Sequence, residues 1–362
     1  MLRFGSSLTL SLGAALLLAS SSVARAADLP PITGDSAIVS SDAKLELLFT
    51  RTAKIKGGLT EGPAVAPDGK IYFSDIPLGT DRGMILRFDP KTKKTTVFAE
   101  DSKKANGLIF DAEGGLLSCE GSDVGGRAVA RWDVKKVEHK TIAERFQGKH
   151  FNAPNDLCLD REGRIYFTDP RYLGDEPREL EHRAIYRINK DRSVTEITHD
   201  IAKPNGIAIT PDGKTLVAAD HDNGTDKIDP TKPAPKTGNM HIVAWDLDKD
   251  GLVAGKKRVL IDYGTAAGCD GMTVDAHGRI YLTVRDLKRP GVQVIDVQGK
   301  ELAFIPTGPA NQAPKEGESP IGLPSNVEFG IGEEISTLYI TIDVSLYRIP
   351  LKAKGYHVQF AK

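Results

Sequence analysis

The chain has 362 residues, 40% of them hydrophobic and 27% charged, which is typical of a globular protein with a large core or two domains. Its 48 Lys and Arg and 49 Asp and Glu leave a net charge of −1, and no basic stretch is interleaved with aromatic residues. This balance argues against nucleic acid as a partner.

The first 26 residues have the pattern of a secretory signal peptide. Arg3 precedes the apolar run 8–19, and Ala24-Arg25-Ala26 fits the small-x-small cleavage rule, so we expect a cut before Ala27. A retained membrane anchor is the alternative, although the run is short for a bilayer. The pattern predicts a periplasmic or secreted protein that has no membrane contact after cleavage.

Three cysteines follow in the chain, and an odd number leaves at least one free thiol. Cys119 and Cys158 lie in strand-like runs and are expected to be small buried hydrophobes. Cys269 adjoins Asp270, but no histidine has an evident positional link to it, which disfavours a nucleophilic role. Disulfides are not expected to be the main support of the fold.

A repeating unit starts with a carboxylate or an amide side chain. In five of the six copies a glycine follows eight residues later and opens a strand-like run such as KIYFSD or RIYFTD. The sixth copy keeps the order of these features but loses this register. The six polar residues are Glu61, Asn106, Asn155, Asn205, Asp270 and Asn326.

Each unit reads as four short strands in about 45–50 residues, separated by turns such as Pro-Asp-Gly. This spacing is that of a propeller blade. The sequence therefore predicts an all-β, six-bladed β-propeller with four-stranded blades around a central channel; a β-sandwich is the alternative. We expect a signal peptide at 1–26, an N-terminal extension at 27–44 and one propeller domain at 45–362.

The two ends of the chain offer strands for closing the ring. Either LELLFT (45–50) or HVQF (357–360) is expected to complete a blade with strands from the other end, which removes exposed sheet edges. Three long segments interrupt the repeat, at 171–182, 221–241 and 304–325. They either shape a binding mouth or serve as decoration or an oligomer contact.

The first strand of each blade lines the channel of a propeller, so the six polar residues are expected to ring one mouth. One Glu, one Asp and four Asn supply only oxygen donors, a set that suits Ca²⁺ or Mg²⁺. The alternative is that Asn and Asp simply cap turns at strand starts. Glu61 fits that alternative poorly, because a glutamate before Gly-Pro is not a usual turn residue.

Five short segments, in order and in register, resemble the senescence marker protein/gluconolactonase/regucalcin-like family of six-bladed propellers. The resemblance extends over roughly residues 55 to 350 and is strongest to the bacterial gluconolactonase branch. The segments are EGP (61–63), ANGL (105–108), NAPND (152–156) with IYFTDP (165–170), KPNG (203–206) and CDGM (269–272).

The resemblance implies a divalent-metal site and a role for each matching residue. Glu61, Asn155, Asn205 and Asp270 match the family's metal ligands, and Asp270 also matches the general base that activates water. Asn106 and Asp156 are expected nearby, either facing the substrate or supporting the ligands. Ca²⁺ is the first expectation for the ion, and oxygen sites of this type also accept Mg²⁺, Mn²⁺ or Zn²⁺.

Other polar side chains are candidate substrate contacts. His150, Arg171 and His221 are candidates at the mouth, and each histidine is also a candidate acid or base. His182 and His241 end two of the long segments. The competing interpretation is a packed or solvated side chain in every case.

The reaction implied by the resemblance is hydrolysis of a small sugar lactone, with the metal polarising the carbonyl. No G-x-S-x-G motif is present, which argues against serine hydrolase chemistry. The alternatives are a related metal-dependent esterase or organophosphate hydrolase, and a non-enzymatic calcium-stabilised binding propeller. The substrate, the ion and the oligomeric state stay open at this point.

Overall fold

The computed structural model describes residues 29–51, 58–224, 237–308 and 322–361. They form six antiparallel sheets in a ring, which confirms the predicted six-bladed β-propeller. Within these residues the helical segments are two single 3₁₀ turns, Gly332–Glu334 and Val358–Phe360, so none is long and apolar enough to cross a membrane. The predicted signal peptide lies outside the described residues.

Twenty-seven strands make up the described structure. Two precede the repeat: β1 (Thr33–Gly34) and β2 (Glu46–Thr50). Blade one contains β3 (Leu59–Val65), β4 (Ile71–Ile76), β5 (Met84–Asp89) and β6 (Lys94–Ala99). Blade two contains β7 (Ala105–Phe110), β8 (Leu116–Glu120), β9 (Ala128–Asp133) and β10 (Glu138–Ala143). A small hairpin, β11 (Arg145–Phe146) and β12 (Lys149–His150), follows it.

The remaining blades follow in chain order. Blade three contains β13 (Leu157–Leu159), β14 (Ile165–Asp169), β15 (Ala184–Ile188) and β16 (Val194–Thr198). Blade four contains β17 (Pro204–Ile209), β18 (Thr215–His221), β19 (Met240–Leu247) and β20 (Val253–Asp262). Blade five contains β21 (Cys269–Val274), β22 (Ile280–Val284), β23 (Gly291–Ile295) and β24 (Glu301–Pro306). Blade six starts with β25 (Pro324–Phe329), β26 (Thr337–Ile342) and β27 (Ser345–Pro350).

The N-terminal segment closes the ring. Strand β2 pairs with β27 and becomes the outer strand of blade six, with Leu47 opposite Tyr347, so the first of the two predicted closing strands is confirmed. Strand β1 adds a fifth strand to blade five, and Ile38 and Val39 are fully or almost fully buried between blades five and six. Residues 27–44, predicted as an extension, thus contain a part that packs on the propeller.

Hydrophobic clusters fill the space between neighbouring blades. In the described part of the chain there are six of them, one for each of the six interfaces around the ring. Burial of apolar area between blades is the main force that holds such a ring together. All three cysteines are buried and free, as expected for a fold without disulfide support.

The C-terminal segment crosses one end of the channel instead of forming a strand. Tyr356 packs on the cluster between blades four and five, Val358 on that between blades two and three, and Phe360 on those that flank blade one. The segment 356–359 also lines a cavity with inner-strand residues such as Ile209 and Val274. This arrangement leaves the opposite end of the channel as the mouth.

The inner strands share an irregularity at the repeated polar position. The pairing with the second strand slips between Glu61 and Ala64, and equivalent slips occur in blades two, four, five and six. A bulge re-aims side chains and increases local twist. It turns these polar residues away from the space between blades.

Glycines beside the bulges let neighbouring inner strands approach closely. A Cβ atom on Gly62 would lie 2.8 Å from the Cα of Gly107, and one on Gly206 would lie 2.8 Å from the Cα of Gly271. Real Cβ atoms do not reach such distances from backbone, so only glycine fits here.

We predict that Gly206→Ala lowers the free energy of unfolding by about 1–3 kcal/mol, because the added methyl group is forced against the backbone of blade five. Gly121→Ala is the matched control, since its Cβ would have 3.5 Å to the nearest atom. Denaturant unfolding of both variants measures the difference. Equal free energies of unfolding for the two variants would show that neighbouring inner strands can move apart to accommodate the methyl group without loss of stability.

Candidate active site at the channel mouth

The polar residues predicted to ring the channel lie at the starts of the inner strands. Glu61, Asn155 and Asn205 are buried, and Asn106 and Asp270 are half-buried. Glu61 lies close enough to Asp270 and Asp156 for their charges to act on one another. The structure thus brings together side chains from blades one, three and five.

The carboxylates of this group repel one another in a dry environment. Burial raises the pKa of Glu61 well above its usual range, and the charges of Asp270 and Asp156 raise it further. Burial also raises the pKa of Asp156 to about 7. Arg285 is the cation next to Asp270, with Nη1 at 3.4 Å from Oδ2.

Both carboxylate oxygens of Asp156 have hydrogen-bond partners within the protein. Its Oδ1 accepts a hydrogen bond from Leu157 N at 2.9 Å, and its Oδ2 accepts one from Asn326 Nδ2 at 3.2 Å. These contacts link Asp156 to blade six, and the substrate contact expected for this residue stays a prediction.

The sixth polar position of the ring is one residue earlier than the sequence suggested. Asn326 matches Asp156, because each has its backbone N–H held by a threonine hydroxyl, from Thr341 and Thr168 respectively. The residue that matches Asn155 is therefore Ser325, whose hydroxyl donates to Thr60 O at 2.6 Å. The Nδ2 group of Asn326 donates a hydrogen bond across the channel to Asp156 Oδ2.

A narrow cleft opens beside the ring. Its walls come from blades one, two and three and include the predicted residues Asn106 and Asn155. The segment after β14 forms the outer wall with Tyr172 and Leu173. Of the three long segments predicted from the sequence, 171–182 thus contributes to the cleft; the other two fall partly outside the described residues.

Tyr172 reaches from this wall to blade four and was not predicted. Its hydroxyl donates to His221 O at 3.1 Å, and Lys203 Nζ lies 4.4 Å from the centre of its ring. Arg285 was also missed. Neither residue occupies a position that the repeat marks, although Tyr172 lies two residues after the strand end IYFTDP.

His221 lies next to the acidic group, as the sequence suggested. Its Nδ1–H donates to Cys269 O at 2.9 Å, which leaves Nε2 as an acceptor. Burial lowers the pKa of His221, against the opposing effect of the Asp270 charge. The ring is therefore predominantly neutral at pH 7.

Arg171 has a structural role. It is buried, with a positive φ of 65°, and its Nη2 donates to Gly174 O at 2.7 Å and lies 3.8 Å from Glu176 Oε2. These contacts hold the segment that carries Tyr172, and the substrate contact predicted for Arg171 stays a prediction.

Three other histidines lie in different surroundings. His150, predicted at the mouth, contacts Arg145 through its ring and Glu179 through its backbone N–H. His182 stacks on His199 with ring centres 4.3 Å apart, and His241 Nε2 lies 3.4 Å from Asp262 Oδ1. Among the described residues none of these contacts leads to Asp270 or Glu61.

A family model for the SMP-30/gluconolactonase/LRE-like region matches residues 59–343, which is most of the propeller. The chain belongs to this family. That membership confirms the resemblance inferred from the repeated motifs, and the matched region spans blades one to five and the first two strands of blade six.

Individual members of the SMP-30/gluconolactonase family align with most of this chain. It is 25% identical to a gluconolactonase of Zymomonas mobilis over 82% of this chain and 79% of that protein. A solved gluconolactonase of Xanthomonas campestris is 27% identical and superposes with a TM-score of 0.69, covering 90% of this chain and 95% of that one. Regucalcin of Agrobacterium tumefaciens, described as calcium-binding, is 20% identical with a TM-score of 0.61 and shares the fold, over 87% and 96% of the two chains.

The residues at the mouth fit the divalent ion that this family membership implies. No three His, Cys, Asp or Glu side chains form a metal-binding cluster within the described residues, so any ion would also need amide oxygens. Glu61 and Asp270 supply two negative charges, and the Asn155 side chain makes no hydrogen bond to a described residue. Two repelling carboxylates, one buried and one half-buried, together with amide oxygens would make a donor set suited to Ca²⁺.

Asp169 holds the segment that carries Asn155. Its carboxylate accepts the backbone N–H groups of Asn152 at 2.8 Å and Ala153 at 2.6 Å. Burial is nevertheless the larger effect and raises the pKa of Asp169 to about 7. The Asp169 carboxyl group is therefore bound to a proton over a wider pH range in the folded protein than in the unfolded chain.

We predict that Asp169→Asn flattens the dependence of stability on pH. A carboxyl group with a raised folded-state pKa contributes stability below its unfolded pKa of about 4, and this contribution is lost as the pH rises towards about 7. Wild-type protein should lose more stability between pH 5 and pH 8 than the variant. Urea unfolding at several pH values tests this, and parallel curves would contradict it.

Proposed function

We propose that this protein is a divalent-metal-dependent lactonase that opens a small sugar lactone. The observation that carries the proposal is the approach of the Glu61 and Asp270 carboxylates at the channel mouth, beside a cleft lined by Asn155. The names of the gluconolactonase relatives support the same substrate class.

Four residues would hold the ion. Glu61 and Asp270 supply charge, and Asn155 and Asn205 supply amide oxygens. When bound, the ion polarises the lactone carbonyl and stabilises the oxyanion that forms on attack. Calcium is proposed as the ion because the donors are all hard oxygens.

Asp270 is the proposed general base. It is half-buried at the mouth, where a water molecule can reach it, whereas Glu61 is almost completely buried. Arg285, at 3.4 Å, holds one carboxylate oxygen and leaves the other for a water molecule. The neutral Nε2 of His221 is the alternative proton acceptor nearby.

The cleft would select a compact polar substrate. Asn106 lies on its wall and offers both a donor and an acceptor for ring hydroxyl groups. Tyr172 and Leu173 limit its size on the outer side. Export through cleavage of residues 1–26 would place the reaction in the periplasm or outside the cell.

We expect Asp270→Asn to reduce kcat for an aldonolactone by about 10²–10⁴-fold, because the amide cannot take the proton of water. The assay follows acid release from a panel of lactones, with an aryl ester and an organophosphate added. Glu138→Gln, on an outer strand and 68% exposed, is the control that removes one charge without touching the mouth.

Full activity of Asp270→Asn would transfer the base role to another group, and the same assay on His221→Ala would then identify it. Hydrolysis of the ester or organophosphate alone would favour the related hydrolase. If chelation lowered Tm while no substrate was turned over, the protein would be a calcium-stabilised binding propeller.

A further inference from the structure

Two segments that line the cleft from opposite sides are joined to each other. The blade-two loop, residues 121–127, follows β8, and the wall segment, residues 171–176, follows β14. Ser122 lines the cleft from the loop and Leu173 lines it from the wall segment. The Ser122 hydroxyl donates a hydrogen bond to Leu173 O. The width of the cleft therefore depends on how these two segments are held together.

The carboxylate of Glu176 joins the wall segment to the blade-two loop. Its Oε1 accepts the backbone N–H of Asp123 at 2.9 Å and that of Val124 at 3.2 Å. Hydrogen bonds to an ionised acceptor are roughly twice as strong as those between neutral groups. One oxygen shared by two successive N–H groups fixes the path of the loop at this point.

The blade-two loop has a strained backbone where it meets this carboxylate. Asp123 and Val124 have φ values of 62° and 64°, both in the left-handed region. A β-branched residue such as valine is disfavoured there, because its side chain crowds the backbone. Such a conformation persists only where the surroundings enforce it. Glu176 holds both N–H groups in place, so loss of its carboxylate should let the loop relax.

The wall segment is shaped to bring Glu176 against the loop. Gly174 has a φ of 95°, and a Cβ atom there would lie 2.7 Å from Asp123 N and 2.8 Å from Ser122 Oγ. Only glycine allows the two segments to pack so closely. Arg171 supports this turn, because its Nη2 donates to Gly174 O at 2.7 Å and lies 3.8 Å from Glu176 Oε2.

The wall segment is also held at blade four. The Tyr172 hydroxyl donates to His221 O at 3.1 Å, so the segment spans the distance between blades two and four. Release of the contact at Glu176 would free the side that faces blade two, while Tyr172 would keep the other side in place. The cleft would then widen next to Ser122.

We propose that Glu176 is a positioning residue that sets the width of the cleft and restricts it to compact lactones. Glu176 acts through Ser122 and Leu173, which line the cleft. The proposal rests on the proposed lactonase function, because it concerns which lactones enter. A monosaccharide lactone would contact both sides of the cleft, whereas the wall segment would exclude the lactone of a disaccharide acid.

Steady-state kinetics with a monosaccharide aldonolactone and with the lactone of lactobionic acid tests this role. Glu176→Ala should raise KM for the small lactone by up to about 100-fold with little change in kcat, because the displaced wall no longer positions it. The same variant should raise kcat/KM for the disaccharide lactone. Glu176→Gln keeps an oxygen for both N–H groups and should stay close to wild type. Glu179→Ala is the matched control, because its carboxylate has a different partner, His150 N at 2.9 Å.

Hydrogen exchange measured by mass spectrometry reports the contact itself without any substrate. In Glu176→Ala the amides of 121–127 and 171–176 should exchange about tenfold faster or more, because both segments open locally. Adding Val124→Asn should slow the exchange of the loop again, since asparagine tolerates the left-handed region better than valine. Val124 is 45% exposed, so this change leaves the core intact.

The outcomes separate this proposal from the one before it. Unchanged exchange in Glu176→Ala overturns the positioning role, and so does faster exchange with an unchanged ratio of kcat/KM between the two lactones. Faster exchange that Val124→Asn does not slow overturns the part played by the strained loop. Wild-type protein that hydrolyses neither lactone overturns the proposed function, and the exchange data then still decide whether Glu176 holds the wall segment.

Discussion

The close approach of the inner strands at the channel mouth is the constraint on which the rest of the site depends. The Cα of Gly107 would be 2.8 Å from a Cβ on Gly62, and the Cα of Asp156 would be equally close to one on Gly107. Strands this close leave no room for side chains between them, so the neighbouring bulged residues turn to the axis. The polar ring is thus a consequence of backbone packing.

In two blades a larger residue replaces the glycine that follows the repeated polar position. This replacement explains the hydrogen bond across the channel. Where other blades have glycine, blade three has Asp156 and blade six has Asn326. Their side chains lie over Gly107 and Gly271 of the preceding blades. Blades three and six are opposite in a six-membered ring, so the two side chains meet across the channel at 3.2 Å.

Most of the fold could be predicted from the sequence, because the glycine spacing reports a local turn that recurs in every blade. A closing strand such as β2 could also be predicted, because the two ends of the chain must pair to complete the ring. The sixth polar position could not be predicted. Residue type pointed to Asn326, whereas the pairing of Pro324 with Ile342 places Ser325 at that position. Register within a sheet is decided by hydrogen bonds that residue types reveal only in part.

The ring residues of the site were predictable and the residues around them were not. Glu61 and Asp270 occupy repeat positions, so closing the ring is enough to bring them together. Tyr172 and Lys203 meet only because a loop of one blade crosses to the next, and no periodic signal encodes that path. Nearness in the chain is a weaker guide: His150 lies five residues before Asn155, and its ring contacts Arg145.

Acidic side chains in a buried environment destabilise the folded state, and apolar contacts elsewhere in the ring offset this effect. Six apolar interfaces stabilise the fold independently of the mouth, so Glu61 can be retained in an environment that disfavours its charge. The ends of the chain add to this stability, with β2 closing blade six and Phe360 packing beside blade one. Because that stability comes from the interfaces and the chain ends, the residues at the mouth are free to be arranged for the proposed ion and substrate.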